Sequence, residues 1–243
     1  MHSSKFLWVT RSSPYAFLTG HHLRLAGHKP LIAPVLAIRP LGYKPLAKPP
    51  DALVFTSTHG VQHHFFRAKF TDVPVYAVGR RTAMTARDAG YRNVFSADGN
   101  VADLEALIAT KLAPGSYVVH LGAAEPAGNL ALDLNRRGFS AHHVAVYESV
   151  DIPSEKLRPA LAALPWIDGI TVHSPKAGRR LANFLADCGD FWHGTAFCIS
   201  NAAAAPIQAV TSSPVLVAES PAEQALMTLI ATDRKLAHPL LPG

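Results

Sequence analysis

Six short stretches concentrate the residues that could do chemistry. They are Thr10-Arg11-Ser12-Ser13, Thr56-Ser57-Thr58, Gly79-Arg80-Arg81-Thr82, Leu121-Gly122-Ala123-Ala124, His173-Ser174-Pro175-Lys176 and Ser200-Asn201. Nearly all of these residues are small, hydroxyl-bearing or cationic, and each stretch follows an apolar run and precedes a segment of helical character. Backbone N–H groups at helix N-termini attract carboxylates and phosphates, and hydroxyls and cations add donors and charge. The chemistry implied is the holding of an anion, and the candidates are Arg11, Ser57, Thr58, Gly79, Arg80, Thr82, Gly122, Ser174, Pro175, Lys176, Ser200 and Asn201. Taken singly, each Ser or Thr reads first as a helix N-cap. Their repetition and their clustering at one sheet edge raise the functional reading.

Other chemistries lack their signatures. Neither Ser57 nor Ser174 sits in a G-x-S-x-G elbow, so a hydrolytic nucleophile has no local support. The thirteen histidines include the adjacent pairs His21-His22, His63-His64 and His142-His143, whose side chains point to different faces. No HExxH occurs and no Cys/His spacing suits zinc, so no metal is expected. "VGRRTA" is not a three-glycine dinucleotide fingerprint and there is no P-loop, so no nucleotide cofactor is expected either. Asp98 in "ADGN" and Glu219 in "AESP" stand where acidic helix caps are expected.

The elements that must position these loops repeat. Strand and helix alternate through "FLWVTRSS…FLTGHHLRLAGHKPLIAPVLAI", "ALVFTSTHGVQHHFF", "VPVYAVGRRTAMTARDAG" and "NVFSADGNVADLEALIATKL". In the last of these, Val101, Leu104, Leu107 and Ile108 form one helical face. About one domain length later the series restarts with "SYVVHLGAAEPAGNLALDLNRRGFSAHHVAVYESV", where Gly138 stands in the place of Gly27. "GITVHSPKAGRRLANF", "TAFCISNAAAAPIQAV" and "PVLVAESPAEQALMTLIAT" complete it. Apolar strands alternating with helices predict parallel sheets covered on both faces, hence two similar doubly wound α/β domains. Ligands of such sheets sit beyond the carboxyl ends of the strands. The proline-rich "IRPLGYKPLAKPPD" and Pro153 mark linkers. One cut falls near Pro114-Gly115; a second arrangement has the chain cross between domains after the first unit and cross back after the fifth.

Composition narrows the class. The chain has 243 residues, 49% hydrophobic and 16% charged, enough for two folded domains. The formal charge of +6 suggests an anionic partner, but the cations are scattered and aromatics make up only 8%, which argues against nucleic acid. A small polyanion fits better. No apolar run approaches a membrane span, and the first apolar run is too short for a signal peptide. Two cysteines give no disulfide framework. A cytoplasmic monomer without membrane contact is expected.

"VTRS", "VFTSTHGV", "YAVGRRTA…AG", "VAVYES", "VHSPKAG" and "VAESPAEQAL", in this order and over nearly the whole chain, resemble the uroporphyrinogen-III synthase family. The resemblance implies an enzyme without cofactor or metal that cyclises hydroxymethylbilane, a linear tetrapyrrole with eight carboxylates, while inverting the last ring. It implies two α/β domains, 1–36 with 152–243 and 38–150, joined by a double crossover linker, with the loops lining a cleft between them. By position Tyr147 matches the tyrosine that is the family's best candidate for assisting loss of the hydroxyl group. A phenol with a pKa near 10 is a donor at neutral pH. Ser57, Thr82 and Ser174 match polar positions of the family's cleft. Two departures stand out: Ser200-Asn201-Ala202-Ala203 lacks the threonine of the family's second turn, and "GAAEPAGNL" carries Glu125 where relatives often carry a cation. A non-catalytic tetrapyrrole- or anion-binding regulator on the same two-lobed fold is the alternative.

Overall fold

A computed structural model describes residues 4–65, 68–188 and 191–233. In chain order the described residues form β1 (Phe6–Val9), α1 (Tyr15–Leu25), β2 (Lys29–Ile32), β3 (Leu36–Pro40), β4 (Ala52–Phe55) and α2 (Thr58–His63). Then come β5 (Val75–Ala77), α3 (Arg80–Asp88), β6 (Val94–Ser96), α4 (Val101–Lys111), β7 (Tyr117–Ala123) and α5 (Leu130–Arg136). They are followed by β8 (Ser140–Asp151), α6 (Ser154–Ala162), β9 (Gly169–Val172) and α7 (Pro175–Cys188), and then by β10 (Thr195–Cys198), α8 (Asn201–Gln208), β11 (Val215–Val217) and α9 (Glu223–Thr232). No helix among the described residues is long and apolar enough to cross a membrane.

The chain divides into two compact units, one made of residues 1–37 with 150–243 and the other of residues 38–149. Pro114-Gly115 lies inside the second unit, in the turn between α4 and β7. The first unit holds a five-stranded sheet in the order β11-β10-β9-β1-β2, and the second a six-stranded sheet in the order β3-β8-β7-β4-β5-β6. Read from the other edge, the first is β2-β1-β9-β10-β11 and the second, without β3, is β8-β7-β4-β5-β6. The two orders coincide when β1 is matched with β7, β2 with β8, β9 with β4, β10 with β5 and β11 with β6. This is the correspondence that the repeated stretches carry. Each sheet reverses its winding between two corresponding strands, β1 and β9 in one unit and β7 and β4 in the other, and such switch points open a crevice at the carboxyl edge.

The repeated pairs run parallel, for example Leu7 opposite Gly169 and Ala52 opposite Val118. One strand departs from the expected all-parallel sheets. Leu41 N–H donates to Val146 O and Ile152 N–H to Val35 O, so residue numbers fall along β8 as they rise along β3, and that edge is antiparallel. A parallel neighbour needs a long crossover, whereas these two segments are the ones by which the chain leaves and re-enters the first unit.

Why these strands read as unbroken apolar runs is clear from their two covered faces. Trp8, Ile170, Val172 and Cys198 pack on one side of the first sheet and Leu7, Val9 and Phe197 on the other. In the second sheet Leu53, Phe55, Val119 and Leu121 face one layer and Ala52, Val54 and Val118 the opposite one. Full burial of each such Leu or Phe contributes about 1.5–3 kcal/mol. Leu104 and Ile108 of α4 are buried, with Val101 and Leu107 partly so, as its spacing requires. Gly27 and Gly138 follow α1 and α5 with φ of +84° and +88°, a left-handed conformation that stops the helix at the same place in both copies. The repeat does not account for α6, which carries Pro159 internally and starts directly after the linker proline Pro153.

Candidate functional site

In the second unit β4 and β7 end at the switch point on Thr56-Ser57 and Gly122-Ala123. Ser57 is extended, and its hydroxyl accepts from the N–H of His59 at 3.1 Å as the N-cap of α2. Its side chain lies near enough to the hydroxyl of Tyr147 to favour ionisation of the phenol. Tyr147 reaches this place because the β7–β8 register slips: Gly122 pairs with Ala145, but Ala123 pairs with Tyr147. A bulge of this kind re-aims the side chain that follows it. Val146 and Tyr147, consecutive in sequence, therefore pack in the same core layer. The Tyr147 ring lies 5.5 Å from that of His59 and 6.1 Å from that of His63, centroid to centroid. Burial pushes its phenol above the ordinary tyrosine range and nearby Ser57 draws it partly back. At neutral pH the phenol is protonated and can only give a proton, not take one.

On the opposite sheet face at the same edge, four groups form a hydrogen-bonded line. Thr56 Oγ1 is 3.0 Å from His120 Nε2, His120 Nδ1 is 3.1 Å from His143 Nδ1, and His143 Nε2 is 2.9 Å from the carbonyl oxygen of Ala123. His120 is buried, and burial followed by the neighbouring His143 lowers its pKa to about 3. A Cβ on Gly122 would stand 2.9 Å from His120 Nε2 and 3.1 Å from His143 Cε1, so the two rings account for that glycine. Strand alternation separates the adjacent histidines: His143 turns inward to His120, while His142 is exposed against the ring of Tyr117.

The corresponding edge of the first unit is ionic. Arg11 Nη1 sits 2.6 Å from Glu223 Oε2, Thr19 Oγ1 donates to Glu223 Oε1 at 2.5 Å, and His173 Nε2 is 3.2 Å from Glu223 Oε2. The Arg11 guanidinium also lies over the ring of Tyr15 at 4.9 Å. Burial alone would raise the Glu223 carboxyl, but His173, Thr19 and Arg11 more than reverse this and hold it at about 2. Beneath them Thr10 Oγ1 donates to the carbonyl of Thr171 at 2.6 Å.

The family profile described as uroporphyrinogen-III synthase HemD matches residues 19–228. The chain belongs to the uroporphyrinogen-III synthase family. Membership makes it an enzyme of tetrapyrrole biosynthesis acting on a small tetrapyrrole. Two solved structures share its α/β fold with parallel sheets. The uroporphyrinogen-III synthetase of Helicobacter pylori superposes with a TM-score of 0.66 at 19% identity, covering 93% of this chain and 98% of the other. A mutant uroporphyrinogen III synthase of Thermus thermophilus gives 0.58 at 15% identity, covering 94% and 97%. No curated protein matches the chain in sequence.

Among the residues singled out from this synthase sequence, Tyr147, Ser57, Thr58 and Gly122 gather at the second unit's switch point. Thr58 is buried in the first turn of α2. Gly79 is the extended residue before α3, Thr82 is buried within that helix, and exposed Arg80 pairs with Asp98 at 2.9 Å. In the first unit the Ser174 hydroxyl accepts from the N–H of Ala177 at 3.2 Å, with Pro175 and Lys176 opening α7. Ser200 likewise caps α8, accepting from Ala203 N–H at 3.4 Å, with exposed Asn201 first in the helix. Ser57, Ser174 and Ser200 are thus all helix caps.

The acidic caps expected at Asp98 and Glu219 are not caps. Asn100 caps α4, in a capping box with Asp103, and Ala222 precedes α9. Asp98 instead takes a φ of +52° and turns to Arg80 and Ser96. Sequence reasoning missed His120, His143 and Glu223. His120 is hidden in the apolar run "YVVHLGA", where a polar residue among buried neighbours was the available signal.

Proposed function

We propose that the chain closes hydroxymethylbilane to uroporphyrinogen III, a cyclising loss of water that makes it a lyase, and that Tyr147 assists departure of the hydroxyl group. The observation that carries this reading is the buried, protonated phenol of Tyr147 held against Ser57 at the switch point of a sheet whose chain belongs to the synthase family. In this reaction the leaving hydroxyl takes a proton from Tyr147 and departs as water, and the phenolate recovers a proton from the pyrrole N–H, which leaves an electrophilic azafulvene. The terminal ring attacks through its substituted carbon, and the resulting spiro intermediate fragments and recloses inverted. The substrate is already reactive, so holding its geometry matters more than a strong acid or base.

Exposed Arg80 suits a substrate carboxylate, because its partner Asp98 is itself open to water and can be exchanged. Arg11 is less suited, since its charge is met by the buried carboxylate of Glu223. Loop N–H groups and the hydroxyls of Ser57 and Ser174 complete the polyanion's contacts in this reading. Freshly made hydroxymethylbilane, with type III separated from type I uroporphyrinogen, tests it. Type III is expected; type I alone, the spontaneous product, would leave the chain as a binder of tetrapyrroles without the activity.

A further inference from the structure

The line of bonds from Thr56 to Ala123 has a direction, and one end sets it. A carbonyl oxygen only accepts, so the Nε2 of His143, 2.9 Å from Ala123 O, carries the proton. A neutral imidazole has one N–H, which leaves His143 Nδ1 as an acceptor. His120 Nδ1, 3.1 Å away, is then the donor, and His120 Nε2 becomes an acceptor in turn. The only proton that can fill the 3.0 Å contact at Nε2 is the hydroxyl hydrogen of Thr56. Thr56 therefore spends its hydrogen inward and shows lone pairs to the crevice, where it is partly exposed.

We propose that Thr56 is a positioning residue that accepts a hydrogen bond from an N–H of the substrate, a pyrrole nitrogen on the reading given above, rather than holding one of its carboxylates. A carboxylate offers no hydrogen, so it would meet lone pair against lone pair at Thr56. A pyrrole N–H fits. One proton added to the pair, on His143, would turn the Nδ1–Nδ1 bond and the bond to Thr56 around, leave the bond to Ala123 O as it is, and make Thr56 an outward donor suited to an anion. Burial, with a pKa lowered to about 3, keeps the His120 ring itself uncharged, so the proton positions on the two rings distinguish the two arrangements. The repeated hydroxyl loops thus differ in polarity: Ser57 serves the phenol of Tyr147, while its neighbour Thr56 supplies an acceptor to the other side of the same crevice.

Two measurements on the full chain test this. Long-range proton–nitrogen correlation spectra at neutral pH are expected to show His120 with its proton on Nδ1 and His143 with its proton on Nε2. Imidazolium signals, or the opposite tautomers, overturn the direction of the chain. With freshly made hydroxymethylbilane, T56V is expected to raise KM about tenfold, the scale of one hydrogen bond lost to a substrate donor, with kcat within about twofold and type III product kept. T56S, which keeps the hydroxyl, is expected to stay near the wild-type KM. An unchanged KM in T56V overturns the contact. A wild-type protein yielding only type I overturns the pyrrole assignment together with the enzyme reading, and the tautomer spectrum distinguishes that failure from one in the histidine chain.

Discussion

The carboxyl edges of β1 and β9 in one unit and of β7 and β4 in the other are copies of a single design, furnished with opposite electrostatics. His173-Ser174 in the first occupies the place of Thr56-Ser57 in the second. The first edge gathers Arg11, His173 and Thr19 around the carboxylate of Glu223, so an anion is already built in. The second has no ion pair among the groups described at its centre: it holds a neutral tyrosine, a serine, and a threonine tied to two histidines. Two copies of one loop have thus taken two tasks. One is a fastening inside its own unit, and the other holds the uncharged donors and acceptors to which the proposed reading assigns the ligand.

Acid separates the two copies most strongly. His64 and His120, both in the second unit, have pKa values lowered by burial to about 4 and about 3. Above pH 6.5 both are neutral in folded and unfolded chains alike, and their contribution is intact. Below 6.5 the unfolded chain takes up protons that the folded one refuses, so stability falls by about 1.4 kcal/mol per pH unit for each ring, a few kcal/mol in all by pH 4.5. Glu223 in the first unit has a lowered pKa, so its contribution is complete above pH 4.5 and is lost only as pH falls from there towards about 2. Hydrogen exchange resolved by residue should show the second unit loosening first on acidification. Simultaneous loosening, or the first unit going earlier, would contradict this.

Next in size is E223A, which leaves Arg11, His173 and Thr19 without their shared acceptor. Breaking a buried pair from one side costs about 3 kcal/mol, readable in urea unfolding of the full chain. A loss below about 1 kcal/mol would mean that the network is not a fastening. G122A sharpens the other side of the comparison. Its Cβ would press on His120 Nε2, and overpacking of this kind costs about 1–3 kcal/mol. The expected accompaniment is a changed His120 tautomer signal; stability lost with that signal unchanged would detach Gly122 from the histidine line. Smallest of all is R80A. Exposed Arg80 and Asp98 give no measurable stability, so thermal unfolding should not move, while KM for the bilane rises a few-fold if Arg80 holds a carboxylate.

Much of the fold was legible because apolar four-residue strands and the helix-ending glycines Gly27 and Gly138 recur in order. The sheet orders follow from that repeat once corresponding strands are matched. What was not legible depends on register and on distant partners. The slip between Gly122 and Ala123 that turns Tyr147 toward Ser57 leaves no mark in residue types. His120 and His143 meet across 23 positions, and Arg11 meets Glu223 across 212, so no local spacing announces either contact. The cation at Arg11 was visible in the sequence; the carboxylate that neutralises it was not. The serines were correctly placed at the loops, and the first reading of each as a helix cap is met by the N–H groups that Ser57, Ser174 and Ser200 accept from.

The central claim is that chemistry belongs to the second unit's edge and turns on the phenol of Tyr147. Its most direct test is the turnover of Y147F on freshly made hydroxymethylbilane, with the isomers separated. Loss of the donor should lower kcat by about ten- to a hundredfold, part of a general acid's usual contribution, while the remaining product stays type III because the geometry is still held. A Y147F protein with the wild-type rate would remove Tyr147 from the reaction and, with it, the reason for assigning the chemistry to this edge.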